Sequence, residues 1–378
     1  MRTPRFNFIA ILCCVFLRQP SALSQSPPNE DWLRSLPGWR YAWPRDHFMH
    51  PKFRTEWWYF TGNLRSADGR RFGYQLTFFR QGVRPSTAPA ANSRFVVNDL
   101  KFGHFTISDL RGEQFHFVQQ LSRGAYGEAG FANETNERRL AWLGNWSLEF
   151  ASDGSFKIAA REKDRALDLK VVPLKPWVIH GENGISRKAE GDQHASHYYS
   201  GTRLRTMGNL NLGEQSFTVE GSSWFDHEWA TNQLADNQSG WDWFSIQLED
   251  GTELMLYRLR RRDGTADPAS SGTFVEADGT ARHLRLADLQ LRPTQTWRSE
   301  KSGAEYPLAW EIRVPSIDLA LEINTPLENQ ELTLNPITYW EGMIDVKGER
   351  AGQAVRGHGY LELTGYAGPI VGLSTPGP

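Results

Sequence analysis

Short aromatic and β-branched runs, separated by turns rich in Gly and Asp, constrain this chain more than any other feature. They follow one another from Glu56 onward, and the 3.6-residue period of an amphipathic helix is hardly visible. The first two runs, Trp57–Leu64 and Phe72–Phe79, are joined by Ser66–Arg70, which has the composition of a hairpin turn. Many short strands with regular turns are typical of barrels and sandwiches. The sequence therefore predicts an all-β protein.

The other predicted strands share this composition. They are Phe95–Val97, Leu100–Ile107, Phe115–Gln120, Trp146–Phe150, Phe156–Ala160, Leu167–Val172, Tyr198–Leu204, Trp241–Leu248 and Glu253–Leu259. One short helix is expected around Asp31–Leu36, within a coil that contains Pro and Trp. Strands thus account for nearly all the regular structure that we expect.

The second half of the sequence repeats the plan of the first. Aligning the two hairpins pairs Trp57 with Trp241, Tyr59 with Trp243, Phe60 with Phe244 and Leu64 with Leu248. The ends of the halves match in the same order: Tyr198–Gly201 resembles Tyr339–Gly342, and Val219–Asp226 resembles Val355–Glu362. Because 378 residues suffice for two domains, we predict tandem β-barrel domains at 47–235 and 236–378, after an N-terminal coil at 25–46.

Residues 1–24 have the pattern of a secretory signal peptide. Arg2 and Arg5 precede an apolar run at Phe6–Leu17, and Ala22–Ser24 forms a small-residue cleavage site. Cleavage would remove both cysteines and change the net charge from −2 to −5. No later segment is long and apolar enough to cross a membrane, and no Lys/Arg run suggests nucleic acid. We expect a secreted or periplasmic protein without an integral membrane segment.

Ionisable and aromatic residues are interleaved in the middle of the chain, from Val219 to Leu259. Three consecutive ionisable residues, Asp226, His227 and Glu228, lie between Trp224 and Trp229. Asp242 lies between Trp241 and Trp243. This composition is expected of a site that holds an apolar ligand and carries out polar chemistry on it.

The sequence allows two interpretations of Asp242. Alternate residues of a strand share a face, so Asp242 shares its face with Phe244 and Ile246, whereas Trp241 and Trp243 take the other. A partly buried carboxyl there would have a raised pKa and could donate a proton at neutral pH. In the alternative, Asp242 binds a neighbouring backbone group or an arginine.

Asp226, His227 and Glu228 end a predicted strand. Asp226 and Glu228 share a face with Trp224, and His227 faces the opposite way. One interpretation is that these residues serve as general acid and base, with a carboxylate that orients the imidazole. The alternative is a polar strand end that binds a loop.

His47 and His50 could contribute to a metal site together with His227 or Glu228, but only if the fold brings them together. The sequence has neither an H-E-x-x-H motif nor a cysteine cluster for binding a metal. It also lacks the G-x-S-x-G nucleophile motif of serine hydrolases and a nucleotide-binding loop. We therefore expect no metal and no cofactor, and serine-hydrolase chemistry is disfavoured.

Four ordered motifs resemble signatures of the AttH-like family, which includes the carotenoid 1,2-hydratases and is often labelled as secreted hydrolases. They are His50–Leu64, Trp224–Trp229, Gly240–Phe244 and Gly359–Tyr366, so that the likeness extends from about His47 to Tyr366. The resemblance implies two lipocalin-like (calycin-type) barrels in tandem. It also implies an exported bacterial protein, in some relatives associated with an ABC-type transporter.

Characterised members of that family act on lipophilic polyenes or polyketides, by adding water to a double bond or by guiding a cyclisation. The resemblance thus implies that Asp242 or Asp226 protonates an alkene, that indole rings stabilise the cation and that His227 serves as base. The residues expected to bind the ligand are Glu56, Trp57, Trp58, Tyr199, Trp224, Glu228, Trp229, Trp241, Trp243 and Tyr257.

Three hypotheses remain open from the sequence. The first is a cofactor-independent hydratase, a carbon–oxygen lyase, that acts on a lipophilic, isoprenoid-like substrate. The second is a non-catalytic periplasmic carrier of such a molecule, linked to an ABC-type transporter. The third is a metal-assisted hydrolase that uses His47, His50 and His227.

Overall fold

The regular structure of the protein is almost entirely β. The computed structural model describes residues 32–370, apart from 89–92, 94, 192, 335–336 and 369. Within this part, strands from Thr55 to Ala230 form one antiparallel sheet and strands from Gln238 to Leu363 form another, and only single-turn 3₁₀ helices interrupt them. Each sheet curls into a near-barrel, which confirms the predicted all-β, tandem-barrel fold class.

The strands of the first sheet are β1 (Thr55–Ser66), β2 (Arg71–Gly82), β3 (Asp99–Asp109), β4 (Gln114–Ser122), β5 (Ala129–Phe131), β6 (Arg139–Leu143), β7 (Trp146–Phe150), β8 (Phe156–Glu162), β9 (Arg165–Pro173), β10 (Val178–Ile179), β11 (Ser186–Arg187), β12 (Ala195–Leu212) and β13 (Gln215–Ala230). Those of the second are β14 (Gln238–Leu248), β15 (Glu253–Arg261), β16 (Ser271–Val275), β17 (Ala281–Arg285), β18 (Gln290–Arg298), β19 (Glu305–Val314), β20 (Leu319–Asn324), β21 (Glu331–Leu332), β22 (Tyr339–Arg350) and β23 (Gln353–Leu363). The 3₁₀ helices are Arg45–His47, Ala125–Gly127, Leu286–Asp288 and Pro315–Ile317.

The two sheets share one topology. The order of the first is β4-β3-β2-β1-β13-β12-β9-β8-β7-β6-β5, with β10 and β11 paired to β12. The order of the second is β17-β16-β15-β14-β23-β22-β20-β19-β18, with β21 paired to β22. In both sheets the first strand lies between the second strand and the last. The end of each half of the chain therefore pairs with the start of the same half.

Residues that align between the two halves of the sequence occupy equivalent positions in the sheets. Tyr59 on β1 lies opposite Asp226 on β13, and Trp243 on β14 lies opposite Glu362 on β23. The sequence repeat therefore predicts equivalent pairing between the first strand and the last strand of each sheet. The division into domains at 235/236 stays a prediction.

Three apolar clusters follow from the alternation of side chains along the strands. Trp58 and Phe60 point into the core enclosed by the first sheet, and Phe244 and Ile246 point into that of the second. The adjacent residues Tyr59 and Trp243 point the other way, into a third cluster at the junction of the sheets. This cluster comprises Tyr59, Tyr198, Trp224, Leu234, Trp243, Met255, Tyr257, Leu259, Met343, Tyr360 and Ile370.

Two local predictions are wrong. Residues 32–36 form no helix, because the amide of Leu33 donates to the carbonyl of Lys52 and Ser35 reaches the carbonyl of Trp229, which holds the segment extended. Phe95–Val97 is not a strand, because the amides of Phe95 and Val96 close a turn on Ser93.

The predicted signal peptide at 1–24 lies outside the described residues. Among the residues that are described, no helix has both the length and the apolar character needed to span a bilayer.

Candidate functional site

A cavity of about 170 Å³ lies at the junction of the two sheets, on the face that carries the third apolar cluster. We call it the junction cavity. It is lined by Trp57, Tyr59, Phe79, Gln81, Phe102, His104, Lys188, Tyr198, Asp226, Glu228, Gln233, Leu234, Trp241, Trp243, Tyr257, Leu259, Ile337, Tyr339, Glu362, Thr364 and Ile370. Most of these side chains are aromatic or aliphatic, and the few polar groups among them include three carboxyls. Apolar walls with a small number of converging polar groups are typical of a small-molecule site.

Asp226 reaches the cavity from the first sheet and is surrounded by hydrogen-bond donors. The Tyr198 hydroxyl donates to Oδ2 at 2.7 Å, the Trp224 indole N–H donates to Oδ1 at 2.6 Å, and the Ser200 hydroxyl also donates to Oδ1. Burial nevertheless raises the pKa of Asp226 to about 7, against the lowering effect of these donors. This carboxyl can therefore exchange a proton near neutral pH.

A relay of side chains fixes Ser200 behind Asp226. Ser200 Oγ lies 2.6 Å from Nε2 of the buried His180, and His180 Nδ1 lies 2.8 Å from Thr273 Oγ1 on the second sheet. If Ser200 donates to Asp226, its oxygen must accept from His180 Nε2–H, and Thr273 must donate to Nδ1. This chain orients donors toward Asp226 and links the two sheets.

Glu362 occupies the equivalent position on the second sheet, and a second carboxyl stands beside it. Glu341 on β22 lies directly opposite Glu362 on β23, and the two carboxyls are within hydrogen-bonding reach. The Trp241 indole donates to Glu362 at 2.6 Å, and the Tyr59 hydroxyl donates to Glu341 at 2.6 Å. Burial raises the pKa of Glu362 to about 7, and burial together with the charge of Glu362 holds the pKa of Glu341 well above its usual range.

Bonds that cross the junction connect these two positions. Tyr59 belongs to the first sheet and binds Glu341 of the second, whereas the Trp243 indole of the second sheet donates to Tyr198 of the first at 3.1 Å. Because Tyr59 and Trp243 are equivalent residues of the two halves, the cavity has a pseudo-twofold arrangement. Each sheet supplies one end of it.

Glu228 is the remaining carboxyl of the cavity and has a cationic partner. Lys188 Nζ lies 3.0 Å from Glu228 Oε1 and 4.3 Å from the centre of the Tyr257 ring. Although burial lowers the pKa of Lys188, the charge of Glu228 raises it above its usual value. Glu228 is thus held as part of an ion pair, unlike Asp226 and Glu362.

A second polar group of residues lies inside the first sheet, on the far side of β13 from the cavity. We call it the inner cluster; its members are Asp46, His47, His50, Glu56, Arg80, Tyr199 and His227. Glu56 Oε1 lies 2.7 Å from His50 Nδ1 and 3.0 Å from His227 Nε2, and Glu56 Oε2 accepts from Arg80 Nε at 3.2 Å. Burial raises the pKa of Glu56, but His50, His227 and Arg80 together bring it below its usual value.

The inner cluster also holds the one group of three potential metal ligands found among the described residues. Ligand atoms of His50, Glu56 and His227 lie within 4.8 Å of one another. The other nitrogens of the two imidazoles contact Asp46, through its carboxylate at 3.1 Å and its carbonyl at 2.9 Å. These residue types and this outer shell fit a metal. Such an ion would have to replace the existing hydrogen bonds between the imidazoles and Glu56.

Comparison with known proteins assigns the family. The AttH-like family model matches residues 34–366. The chain belongs to the AttH-like family. Its fold is similar to that of a protein described as an AttH from Nitrosomonas europaea, with a TM-score of 0.79 and 31% identity over 88% of this chain and 99% of the other.

Two further proteins to which the chain is similar have names that describe a reaction. The kievitone hydratase of Nectria haematococca superimposes with a TM-score of 0.68 at 16% identity, covering 87% of this chain and 93% of the other. The dehydratase asqC of Emericella nidulans is 23% identical over 270 residues, which are 68% of this chain and 75% of the relative.

The three predicted catalytic residues of this AttH-like chain do not share one site. Asp226 lines the junction cavity, whereas His227, the next residue on the strand, points into the inner cluster. Asp242 lies on the inner face of β14, where it pairs with Arg260 and accepts from the Tyr366 hydroxyl at 2.8 Å. The proposed partnership of Asp226 with His227 therefore has no geometric basis, because a strand places consecutive side chains on opposite faces.

The predicted ligand-binding residues divide in the same way. Trp57, Glu228, Trp241, Trp243 and Tyr257 line the cavity. Trp224 lies beside it and donates to Asp226. Glu56, Trp58, Tyr199 and Trp229 lie inside the first sheet instead.

Sequence reasoning did not select Glu341, Glu362, Tyr59, Tyr198 or His180 as functional. Four of them lie in the internal repeat, which aligns Asp226 with Glu362, Tyr59 with Trp243, and Tyr198–Gly201 with a segment that contains Glu341. Nothing local marks His180, which comes from a loop distant in sequence.

Proposed function

We propose that this AttH-like protein adds water to, or removes it from, a lipophilic molecule held in the junction cavity, with the cavity carboxyls as acid and base. The observation that carries the proposal is a cavity walled by indole and phenol rings in which Asp226 and Glu362 have pKa values raised to about 7.

Hydration of an unactivated double bond needs a proton donor, a surface that tolerates positive charge and a proton acceptor. Carboxyls with pKa values close to the working pH can serve in either proton-transfer role. The faces of Trp57, Trp241 and Trp243 offer cation–π stabilisation of about 0.5–2 kcal/mol to a developing carbocation. No cofactor is required for this chemistry.

The relatives support the same class of reaction. One is named a hydratase and another a dehydratase, which are the two directions of water transfer. Both names describe chemistry that a cavity with paired acids can perform. The substrate is proposed here only as an apolar molecule with a double bond or a hydroxyl group, because the walls of the cavity are mainly apolar.

Export is a separate part of the proposal. The signal-type pattern of residues 1–24 supports secretion to the periplasm or the medium, where an ABC-type transporter could deliver or remove the ligand. Expression of the full chain, followed by cell fractionation and N-terminal sequencing, tests this. We expect a mature protein that begins at Gln25 and is recovered outside the cytoplasm.

The water-transfer proposal is tested with a lipid extract of the producing cells, incubated with the purified protein in ¹⁸O-labelled water. We expect one apolar component to gain a labelled water, or one hydroxylated component to lose water, in mass spectra. Asp226→Asn abolishes the change. Glu322→Gln, on the exposed surface of the second sheet, is the matched control and retains it.

A different outcome favours the carrier hypothesis. If the wild-type protein retains a component of the extract on gel filtration but never changes its mass, the protein is a carrier and water transfer is wrong. Retention and turnover are measured on the same sample, so the two functions are separated directly.

A further inference from the structure

The two ends of the junction cavity differ in the number of hydrogen-bond donors that each carboxyl receives. Asp226 accepts from three donors, the side chains of Tyr198, Ser200 and Trp224. At the other end, Glu341 and Glu362 each accept from a single aromatic donor. Donors stabilise the ionised form of a carboxyl, so ionisation is better supported at Asp226.

Glu341 and Glu362 lie opposite one another with no cation beside them among the residues whose contacts are described. Oε2 of Glu341 is buried and meets no N–H or O–H donor in that part of the chain. Glu341 is buried and Glu362 is half-buried. Two adjacent carboxyls in such surroundings cannot both ionise without a large electrostatic cost, and they reduce that cost by sharing a proton. A proton between the two carboxyls also satisfies the unpartnered oxygen.

We infer that the two ends have different roles: Glu362 is the proton donor, Glu341 is the positioning residue that keeps Glu362 protonated, and Asp226 is the proton acceptor. This inference rests on the proposed function and assigns its steps. Glu362 lines the cavity and can touch a substrate, whereas Glu341 is not among the lining residues and acts through Glu362. The assignment differs from the sequence-based expectation that Asp242 or Asp226 donates the proton.

The step is written for addition of water to a double bond. Glu362 transfers its proton to one carbon as the π bond breaks and a C–H bond forms. The oxygen of water forms a bond to the other carbon, and Asp226 accepts the proton that this water releases. Proton exchange with bulk water then reprotonates Glu362 and ionises Asp226. Elimination of water follows the same steps in reverse.

The charged and titratable groups that face Glu362 come from several strands. They include Glu341 and Tyr339 on β22, Tyr59 on β1, and Glu228 on β13 with its partner Lys188. Asp226 and His104 line the same cavity, and His104 contacts the Tyr339 hydroxyl. Lys188 neutralises Glu228, so the acidic groups that remain favour a protonated Glu362.

Infrared spectroscopy of the ligand-free protein tests the shared proton without knowledge of the substrate. A protonated carboxyl has a C=O absorption that shifts in D₂O and is absent from a carboxylate. At neutral pH we expect this band in the wild type, its weakening or displacement in both Glu341→Gln and Glu362→Gln, because only the part that Asp226 contributes remains, and its retention in Asp226→Asn and the control Glu322→Gln. Two variants of the pair are used so that misfolding of one leaves a second measurement.

The opposite infrared result would overturn the assignment. If the band disappears in Asp226→Asn but persists in both variants of the pair, Asp226 holds the proton and the roles are reversed. A wild type without any such band at neutral pH also contradicts the shared proton. Neither result depends on turnover, so each is distinct from a failure of the proposed function.

Turnover of the component found in the lipid extract tests the roles. Glu362→Gln should lower kcat by about 100-fold or more. Glu341→Gln leaves the Glu362 carboxyl in place but removes its neighbour, so the alkaline limb of the pH–rate profile should move to lower pH, with KM little changed. A Glu341→Gln profile identical to that of the wild type would refute the positioning role.

Discussion

Buried acids on the two sides of β13 are in opposite electrostatic states. On one side, His227 joins the inner cluster, in which Glu56 of β1 is surrounded by Arg80 and two imidazoles and has a lowered pKa. On the other side, Asp226 borders the junction cavity, forms no ion pair with any residue that the structure describes, and has a pKa raised to about 7. Burial is nearly complete on both faces. The difference is therefore set by partners, not by depth.

This comparison separates stability from chemistry. A buried carboxylate with several cationic or N–H partners is expensive to disturb and poorly suited to exchanging a proton. A buried carboxyl that lacks a cation destabilises the fold when it ionises, but it can give or take a proton near neutral pH. We therefore expect the inner cluster to stabilise the first sheet, and the junction cavity to hold the groups that exchange protons with a ligand.

The largest expected effect is on catalysis. Asp226→Asn should lower kcat/KM by about two to four orders of magnitude, because the amide cannot accept the proton of the reacting water. Its unfolding free energy near pH 5 should change by less than about 1 kcal/mol, because Asp226 is then mostly protonated. Steady-state kinetics and urea denaturation of one preparation check both. A large loss of stability near pH 5 would place Asp226 with the structural acids instead.

Glu56→Gln should have the reverse profile. Removing the negative charge leaves Arg80 and the two imidazoles of the inner cluster without their shared acceptor, which we expect to lower the unfolding free energy by about 3–5 kcal/mol. Urea denaturation measures this, with Glu322→Gln as a control that should stay within about 0.5 kcal/mol of the wild type. A fully stable Glu56→Gln protein would remove the distinction between the two regions.

The sequence predicted the strands and the orientation of their side chains because a period of two is visible in aromatic-rich segments. From that period, Asp226 and His227 were already placed on opposite faces. The sequence did not show which face would border a cavity. That depends on how the segment from Trp39 to Phe53 packs inside the first sheet and on how the two sheets pack together.

The sequence also did not predict contacts between residues that are distant along the chain. Arg260 reaches Asp242 only through the register of β14 with β15, and His180 reaches Ser200 from a loop. Neither contact follows from local composition. Glu362 could have been predicted as a functional residue, because the repeat aligns it with Asp226. Its chemical role depends on Glu341, which lies on the neighbouring strand where the first repeat has Ser200.

The pH dependence of stability should have opposite signs in the two regions. The folded-state pKa of Asp226 is raised, so its contribution to stability is present at low pH and is lost as pH rises from about 4 to about 7. Its full loss corresponds to roughly 4 kcal/mol. Glu56 has a lowered pKa, so its contribution is present above the unfolded-state pKa and is lost on acidification.

Variants separate these two contributions. Asp226→Asn should flatten the decline in unfolding free energy between about pH 4 and about pH 7, and Glu56→Gln should flatten the decline that follows acidification below about pH 4. Urea denaturation from about pH 2 to about pH 8 measures both slopes. If Asp226→Asn leaves the decline between about pH 4 and about pH 7 unchanged, the raised pKa of Asp226 is wrong.

A matched pair of tryptophan variants should show a smaller contrast. The Trp241 indole donates to Glu362 in the cavity, and the Trp58 indole donates to the carbonyl of His47 beside the inner cluster at 2.8 Å. Trp241→Phe should lower kcat/KM by about 3- to 30-fold, the equivalent of one hydrogen bond to an acid, with little change in stability. Trp58→Phe should instead lower the unfolding free energy by about 1–3 kcal/mol and leave kcat/KM near that of the wild type. Equal effects of the two variants on kcat/KM would contradict the division.

The smallest expected effect is that of metal removal. His50, Glu56 and His227 are the residues a metal ion would use, but Arg80 already contacts Glu56. A divalent ion would add two positive charges beside a buried guanidinium and would displace the short contacts at Glu56 Oε1. We therefore expect EDTA dialysis to change the Tm by less than about 1 °C. Elemental analysis with a stoichiometric ion, and a Tm that falls by several degrees on its removal, would make the inner cluster a metal site and end the contrast with the junction cavity.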